Sequence, residues 1–379
     1  MKRRVFVVAG EHSGDAHGAE LMCELAGDAD FAGLGGPKMH AFCPKVVDWV
    51  AEAAVMGVVE VAKRYPFFKK KFAEVLEGIG RWKPDVLLLV DYQGFNLRLA
   101  LAVKQQFPQV KTVQYVAPQV WAWNERRMPR VVRAYDLMLC LFPFEVPLFE
   151  KHGLRSRWVG HPLVDELEEG RIETKREEKL VALLPGSRRR EIEGLFPVML
   201  QAVRRVRAVH PEATFVVPAA DDVLRVRLEE LREKSGIAAE VVTVVPGGAH
   251  ALMQRAACGV VASGTATLEA AFYGLPFCLA YRVGAVMYRL ARFFVKIRFI
   301  GLANILADRE LVPEFIQAEA NDYEIAAFLN EMLGDEEKRK RLSAELEAVG
   351  AQLGERGMHG RAAGEIRALL ERNSDPVLG

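Results

Sequence analysis

The chain has 379 residues, of which 51% are hydrophobic and 27% charged, so it is an ordinary globular sequence, too long for one core and expected to form two domains. Its 51 lysines and arginines offset 50 aspartates and glutamates to a net charge of +1, which argues against a nucleic-acid partner. The five cysteines lack metal or redox spacing, and no run of about 18 apolar residues occurs, so neither a cysteine metal site nor a membrane span is predicted.

Strand, turn and helix patterns alternate along the chain. Continuous apolar runs such as Val86-Leu87-Leu88-Leu89-Val90 are typical of parallel strands covered by helices on both faces. The first apolar run is too short for an export signal, which with the reduced thiols predicts a cytoplasmic protein. The predicted strands are Val5–Ala9, Val86–Val90, Thr112–Val116, Leu137–Leu141, Arg157–Val159, Val181–Leu184, Thr214–Val217, Val241–Val244, Gly259–Ala262 and Phe277–Ala280.

This order predicts an α/β fold with two doubly wound domains that face each other across a central cleft. The domains are placed at residues 1–165 and 179–345. Residues 166–178 are charge-rich and poor in large apolar side chains, so they are predicted to be the linker. Residues 346–379 are predicted to form C-terminal helices.

Polar residues follow two predicted strands of the first domain, where ligands of open parallel sheets bind. Gly10-Glu11-His12-Ser13-Gly14-Asp15 follows the first strand, and its alternative interpretation is a plain helix start capped by Ser13 or Asp15. Asp91 ends the strand at 86–90. Partial burial there would raise its pKa and make it a better base, the alternative being a helix cap. No metal site is predicted, because no further ligand set accompanies His12, Asp15 and His17.

Two loops of the second domain have the composition of anion sites. Residues 260–271 predict a buried strand, a turn at Ser263-Gly264-Thr265 and a helix that Ser263 or Thr265 caps. The first amides of such a helix favour phosphate, and Glu269 could accept hydrogen bonds from ribose hydroxyls. Residues 183–188 form a similar turn and add the Arg188 guanidinium. The alternative is an ordinary capped helix behind a core strand.

Two segments mix large apolar side chains with cations. Residues 56–72 contain five lysines and arginines among aromatic residues, and residues 287–296 have an apolar stripe beside a basic face. Such helices lie in the headgroup region of anionic membranes, although a core-packed helix with solvated lysines fits either segment alone. Together they favour an interfacial enzyme.

These motifs, in this order, resemble the lipid-A-disaccharide synthase family, inverting glycosyltransferases of the GT-B type with two facing Rossmann-like domains. The resemblance covers nearly the whole chain. Its motifs are Gly10–Asp15, Val55–Val61, Lys83–Val86, Val120–Trp123, Leu141–Glu145, Val159–Pro162, Leu183–Arg188, Ala262–Glu269, Ala280–Arg282 and Asn304–Pro313.

The resemblance implies transfer of 2,3-diacylglucosamine from its UDP form to 2,3-diacylglucosamine 1-phosphate, which gives a β-1,6-linked disaccharide 1-phosphate and UDP without cofactor or metal. It implies a peripheral enzyme on the inner face of the cytoplasmic membrane, with C-terminal helices that pack on the first domain or are exchanged in a homodimer. The implied catalytic residues are Asp91 as base, Glu11, Ser13 and Asp15. The implied nucleotide residues are Gly186, Ser187, Arg188, Ser263, Gly264, Thr265, Glu269, Tyr281, Asn304, Arg309 and Glu310. The implied lipid contacts are Met56, Val58, Val59, Val61, Tyr65, Phe67, Phe68 and Phe72.

The chain departs from the family at Gly94, where the family usually has a second acid three positions after the residue matching Asp91. Asp91 would therefore act alone, or with Glu11 or Asp15. Two alternative functions are a UDP-sugar epimerase or soluble transferase of the same architecture, which would act on unacylated sugars, and a peripheral nucleotide-binding protein without turnover. Release of UDP in the presence of the acceptor lipid separates them.

Overall fold

The computed structural model describes residues 2–53, 64–123, 125–284 and 298–371. The chain divides into two compact units. The first is Met1–Pro162 with Gly354–Gly379, and the second is Leu163–Leu353. Each unit is built on one parallel β-sheet.

The N-terminal unit contains a seven-stranded sheet in the order β3-β2-β1-β4-β5-β6-β7. Its strands are β1 (Arg3–Ala9), β2 (Ala29–Gly35), β3 (Val46–Asp48), β4 (Val86–Val90), β5 (Lys111–Tyr115), β6 (Leu137–Cys140) and β7 (Ser156–Trp158). Its first helices are α1 (His12–Glu24), α2 (Pro37–Phe42), α3 (Val50–Ala53), α4 (Tyr65–Trp82), α5 (Gln93–Gln106), α6 (Val120–Trp123), α7 (Met128–Ala134) and α8 (Glu145–Glu150), with a 3₁₀ turn at Glu125–Arg127.

The two central strands of this sheet are buried on both faces, as their continuous apolar sequences predict. All five residues of β4 have no exposed surface, and they pair in register with Val5–Ala9 of β1. Strands β2 and β3 were not predicted, because Ala29–Gly35 has an aspartate and two glycines instead of an apolar run and β3 has only three residues.

The second unit contains a six-stranded sheet in the order β10-β9-β8-β11-β12-β13. Its strands are β8 (Glu177–Leu184), β9 (Thr214–Ala219), β10 (Val242–Pro246), β11 (Ala256–Ala262), β12 (Phe277–Tyr281) and β13 (Glu314–Ile316). Its helices are α9 (Leu163–Glu169), α10 (Arg189–Val209), α11 (Asp222–Lys234), α12 (Ala249–Arg255), α13 (Ala266–Phe272), α14 (Leu302–Ala307), α15 (Asp322–Gly334) and α16 (Glu336–Gly350), followed by a 3₁₀ turn at Ala351–Leu353.

The linker prediction is wrong in part. Residues 166–178 include the end of α9 and the first residues of β8, because Val164 and Leu167 are buried and anchor a short helix. The chain then returns to the N-terminal unit with α17 (Met358–Glu371). Its apolar face, including Ala362 and Ile366, joins the core cluster of β1 and β4.

Candidate active site

The site of the second unit lies where the strand order of its sheet reverses. β8 is followed by its neighbour β9 on one side, whereas β11 pairs with β8 on the other. Ligands of doubly wound sheets bind outside the carboxyl ends of strands at such a reversal. A cavity of about 400 Å³ is present there, lined by the turns after β8, β9, β10 and β11.

The turn after β8 shapes one wall of this cavity with its main chain. Gly186 has a φ of +107°, a region that favours glycine, and an added Cβ would lie 2.3 Å from Oε2 of Glu191. The same carboxylate accepts from the backbone N–H of Arg188 at 3.3 Å. Helix α10 begins directly afterwards, and the first N–H groups of a helix have no partner within it. Because Glu191 already accepts from the N–H of Arg188, the neighbouring N–H groups at the start of α10 are the main-chain donors left for a ligand.

Arg188 lines the cavity, but its guanidinium is already paired. Its Nη1 lies 3.1 Å from Oε1 of Glu191, and the side chain is 78% exposed. The positive charge of Arg188, predicted to bind a diphosphate, is therefore present at the cavity edge. Its attraction for an anion is weakened by the Glu191 carboxylate and by solvent.

The turn after β11 forms the facing wall, with Ser263, Gly264 and Thr265 in the cavity lining. The predicted side-chain cap is wrong. Thr265 occupies the N-cap position of α13 without a side-chain hydrogen bond, and the Thr267 hydroxyl donates to the Gly264 carbonyl at 2.8 Å instead. The hydroxyl that stabilises the turn is therefore that of Thr267, two residues after Thr265.

Glu269 also lines the cavity, and it has a partner that the sequence did not indicate. Its Oε2 lies 3.4 Å from Nε2 of His250. Burial raises the pKa of Glu269, and His250 opposes that rise. The turn before His250 completes the lining with Gly247 and Gly248, whose φ angles are +61° and +77°. The sequence feature that could have predicted this wall of the cavity is the glycine pair directly after a strand.

Four residues predicted for the nucleotide are absent from the lining of this cavity: Tyr281, Asn304, Arg309 and Glu310. Asn304 is buried, and its amide is fully engaged within the fold. Its Nδ2 donates to the Val312 carbonyl at 2.8 Å, and its Oδ1 accepts from the N–H of Leu311 at 2.8 Å. Asn304 therefore shapes the turn after α14. Arg309 forms an exposed ion pair with Glu345 at 2.7 Å.

The N-terminal unit has its own reversal of strand order, between β1 and β4. Glu11 follows β1 and Asp91 follows β4. Asp91 and Tyr92 have φ angles of +48° and +44°, and two consecutive left-handed residues other than glycine are strained. The carbonyl of Asp91 accepts from the amides of Asn96 at 2.8 Å and Gln114 at 3.1 Å. These two buried amides, which the sequence analysis missed, stabilise the strained turn.

Both carboxylates at this reversal have a raised pKa. Burial raises the pKa of Asp91, opposed by a hydrogen bond from a backbone N–H. Burial and then the negative charge of Asp91 raise the pKa of Glu11. Tyr92 lies over the turn after β1, because an added Cβ at Gly10 would lie 2.4 Å from its ring. Its pKa rises to about 12 through burial and the charge of Glu11.

Asp15 has a structural role, and its predicted catalytic role stays a prediction. Its buried carboxylate accepts from the N–H groups of Gly36 at 2.8 Å, Lys38 at 2.9 Å and Met39 at 2.9 Å, which fixes the start of α2. Ser13 is exposed in the first turn of α1. Among residues 2–53, 64–123, 125–284 and 298–371, no group of three or more metal-ligating side chains is found.

A second cavity, of about 470 Å³, lies beside Glu11 and Tyr92 in the N-terminal unit. Its lining includes Tyr65, Phe68 and Phe72, three of the residues predicted to contact lipid. Phe67 packs on Phe68, with ring centroids 5.4 Å apart. Phe67, Phe68 and Phe72 of α4 thus pack against the core, whereas Tyr65 is exposed. The other predicted lipid contacts, Met56, Val58, Val59 and Val61, and the segment 287–296 lie outside the described residues.

The comparison with known proteins decides the family. A sequence model of the family described as lipid-A-disaccharide synthetase matches residues 5–364. The chain belongs to the lipid-A-disaccharide synthetase family. It is 36% identical over 379 residues to the lipid-A-disaccharide synthase of Geobacter metallireducens, covering 97% of each chain. It is 34% identical over 354 residues to lipid-A-disaccharide synthase 1 of Legionella pneumophila, covering 90% of this chain and 91% of the relative.

Membership of the lipid-A-disaccharide synthetase family confirms the predicted resemblance and makes the chain a glycosyltransferase of lipid A biosynthesis. The S. aureus MnaA-UDP co-structure matches with a TM-score of 0.61 at 13% identity, covering 98% of this chain and 97% of that one. This likeness shows the fold and confirms the predicted class, α/β with two Rossmann-like units. Within the described parts of this synthetase family member, no helix is long and apolar enough to cross a membrane.

Proposed function

We propose that the chain transfers diacylglucosamine from UDP to diacylglucosamine 1-phosphate, with Asp91 as the base. The observation that supports this most is the strained turn after β4, which fixes a half-buried carboxylate of raised pKa at a strand-order reversal. A base of raised pKa accepts a proton more readily in the transition state. Family membership supports the substrates.

The chemical step is one displacement. The acceptor hydroxyl gives its proton to the Asp91 carboxylate as its oxygen forms a bond to the anomeric carbon. The bond from that carbon to the diphosphate oxygen breaks, and UDP leaves with the electron pair. The charge that gathers on UDP needs donors placed in advance.

We assign UDP to the cavity of the second unit. The turns after β8 and β11 supply main-chain N–H groups for the diphosphate, Arg188 adds a partly neutralised charge, and Glu269 accepts from ribose hydroxyls. We propose that no cofactor or divalent cation takes part. Turnover that is unchanged in EDTA is the expected result, whereas loss in EDTA and recovery with magnesium or manganese would overturn this point.

We propose that Glu11 takes the place of the second acid that the family usually has at position 94. Glu11 and Gly94 line the same cavity, and the charge of Asp91 already raises the pKa of Glu11. An added Cβ at Gly94 would have no atom within 4 Å, so this position has room for a carboxylate.

The test measures UDP release from UDP-diacylglucosamine in the presence of diacylglucosamine 1-phosphate. We expect Glu11→Gln to lower kcat about tenfold and Gly94→Asp to restore most of that loss in the double variant. Glu77→Gln removes a 69% exposed carboxylate on α4 and serves as the matched control. Absence of UDP release by the natural chain, or epimerisation of the donor without acceptor, would overturn the proposed function.

We also propose peripheral binding to the inner face of the cytoplasmic membrane. Exposed Tyr65 and Lys70 of α4 support this, because aromatic and basic side chains favour an anionic interface. Co-sedimentation with vesicles that contain phosphatidylglycerol, lost at high salt, is the expected result. The predicted homodimer stays a prediction, which light scattering of the full chain would test.

A further inference from the structure

Two cations stand at the cavity of the N-terminal unit, and the reaction step leaves them without a role. Lys69 belongs to the same face of α4 as Tyr65, Phe68 and Phe72, because these residues follow an i, i+3, i+4, i+7 spacing. Arg98 lies on α5. Both line the cavity, and both are exposed at its rim.

Neighbouring cations of these helices have carboxylate partners. Lys71 pairs with Glu74 at 3.0 Å, and Lys70 lies 3.9 Å from the same residue. Lys104 pairs with Asp136 at 2.5 Å. For Lys69 and Arg98, the described parts of the chain provide neither an ion pair nor a side-chain hydrogen bond.

The charges of the cavity lining favour an anion. Among its lining residues, Lys69 and Arg98 are positive and Glu11 is the single carboxylate. The remaining walls are largely aromatic, so the site suits a ligand with an anionic group and an apolar or sugar portion. Arginine and lysine at one rim are suited to a phosphate monoester, which arginine binds bidentately.

We propose that Lys69 and Arg98 bind the 1-phosphate of the acceptor and thereby select a phosphorylated acyl sugar. This inference rests on the proposed function. Arg98 lies five residues after Gln93, the first residue of α5, which is about 7.5 Å along the helix axis from the end near Asp91. In the acceptor, the reacting hydroxyl and the phosphate are at opposite ends of one sugar ring. Arg98 is separated from the base along α5 in the same way, and Lys69 lines the same cavity.

The test compares two acceptors, diacylglucosamine 1-phosphate and the same lipid without phosphate. Lys69→Ala and Arg98→Ala should each raise the KM for the phosphorylated acceptor about tenfold, with kcat and the KM for the UDP donor little changed. With the dephosphorylated acceptor, the natural chain and both variants should have the same KM. Lys70→Ala, on the same helix outside the cavity lining, is the matched control.

Two results would overturn the assignment. An equal rise in KM for both acceptors would show that the pair does not recognise phosphate. An unchanged KM together with weaker co-sedimentation with phosphatidylglycerol vesicles would assign the cations to the bilayer. Calorimetric binding of each acceptor without donor separates this inference from the proposed function. If binding depends on phosphate and on Arg98 but no UDP is released, the proposed function fails and the phosphate site stands.

Discussion

The sites at the two strand-order reversals differ in the groups that form them, main-chain turns in one and side chains in the other. In the second unit, the cavity is walled by turns, and the glycines at 186, 247, 248 and 264 have positive φ angles. In the N-terminal unit, the site at the reversal is formed mainly by side chains, which are Asp91, Glu11 and those of the aromatic pocket. Main-chain donors hold a ligand with little dependence on pH, whereas carboxylates of raised pKa perform proton transfer. Under the proposed function, the same fold position would serve binding in one unit and chemistry in the other.

Removing the charge of Asp91 should have the largest effect. We expect Asp91→Asn to lower kcat by a factor of about 10²–10⁴, the usual contribution of a positioned base, because the amide cannot accept the proton. The Kd for UDP, measured by calorimetry, should not change. A variant that retains most of the natural rate would contradict the assignment of the base.

Adding a methyl group at Gly186, in the cavity of the second unit, should impair the binding of UDP. In Gly186→Ala, the Cβ would lie 2.3 Å from the Glu191 carboxylate at a φ of +107°, a strain of about 1–3 kcal/mol. We expect the affinity for UDP to fall about tenfold, since the N–H groups of that turn must shift. Gly194→Ala in α10 meets its nearest atom at 4.0 Å and should bind UDP like the natural chain. Equal affinities for UDP of the natural chain, Gly186→Ala and Gly194→Ala would mean that this turn does not hold the nucleotide.

The pH dependence should distinguish the two sites in one experiment. Asp91 acts as a base only when ionised, so kcat/KM falls as the pH drops through its pKa. Because burial raises that pKa above 3.8, the fall should occur at a higher pH than for an exposed aspartate. Glu11→Gln removes a nearby negative charge and should move the fall to lower pH. The Kd for UDP should not follow this profile. If kcat/KM and the Kd for UDP had the same pH dependence, the proposed difference between the two sites would be wrong.

Arg188→Ala should have the smallest effect. Its guanidinium is 78% exposed and paired with Glu191, so we expect the Kd for UDP to rise about threefold. A rise far above tenfold would show that side-chain charge outweighs main-chain donors in this cavity. No change would remove Arg188 from the diphosphate site.

The sequence predicted the central strands of both sheets, because β4 and β11 are continuous apolar runs. It also predicted the turns that carry Glu11, Asp91 and Gly186, since polar groups directly after such strands meet at one sheet edge. Strand β2 and the edge strands β3 and β13 have weaker patterns, and they form through pairing with neighbours already in place.

Roles that depend on distant partners could not be predicted. Asp15 is bound by N–H groups of Gly36, Lys38 and Met39, which no local pattern connects to the turn after β1. Asn304 is held by backbone groups at 311 and 312, so an amide that resembles a ligand contact is a support for a turn. In both cases, the tertiary fold determines which polar atoms remain available.

The return of α17 to the N-terminal unit has a consequence for biosynthesis. The second unit is one uninterrupted segment, Leu163–Leu353, whereas the first needs residues from both ends of the chain. During translation, the inserted unit is complete while the earlier one still exposes the apolar surface that Ala362 and Ile366 later cover. Until α17 has left the ribosome and packs on the first sheet, this exposed apolar surface favours aggregation of the nascent chain.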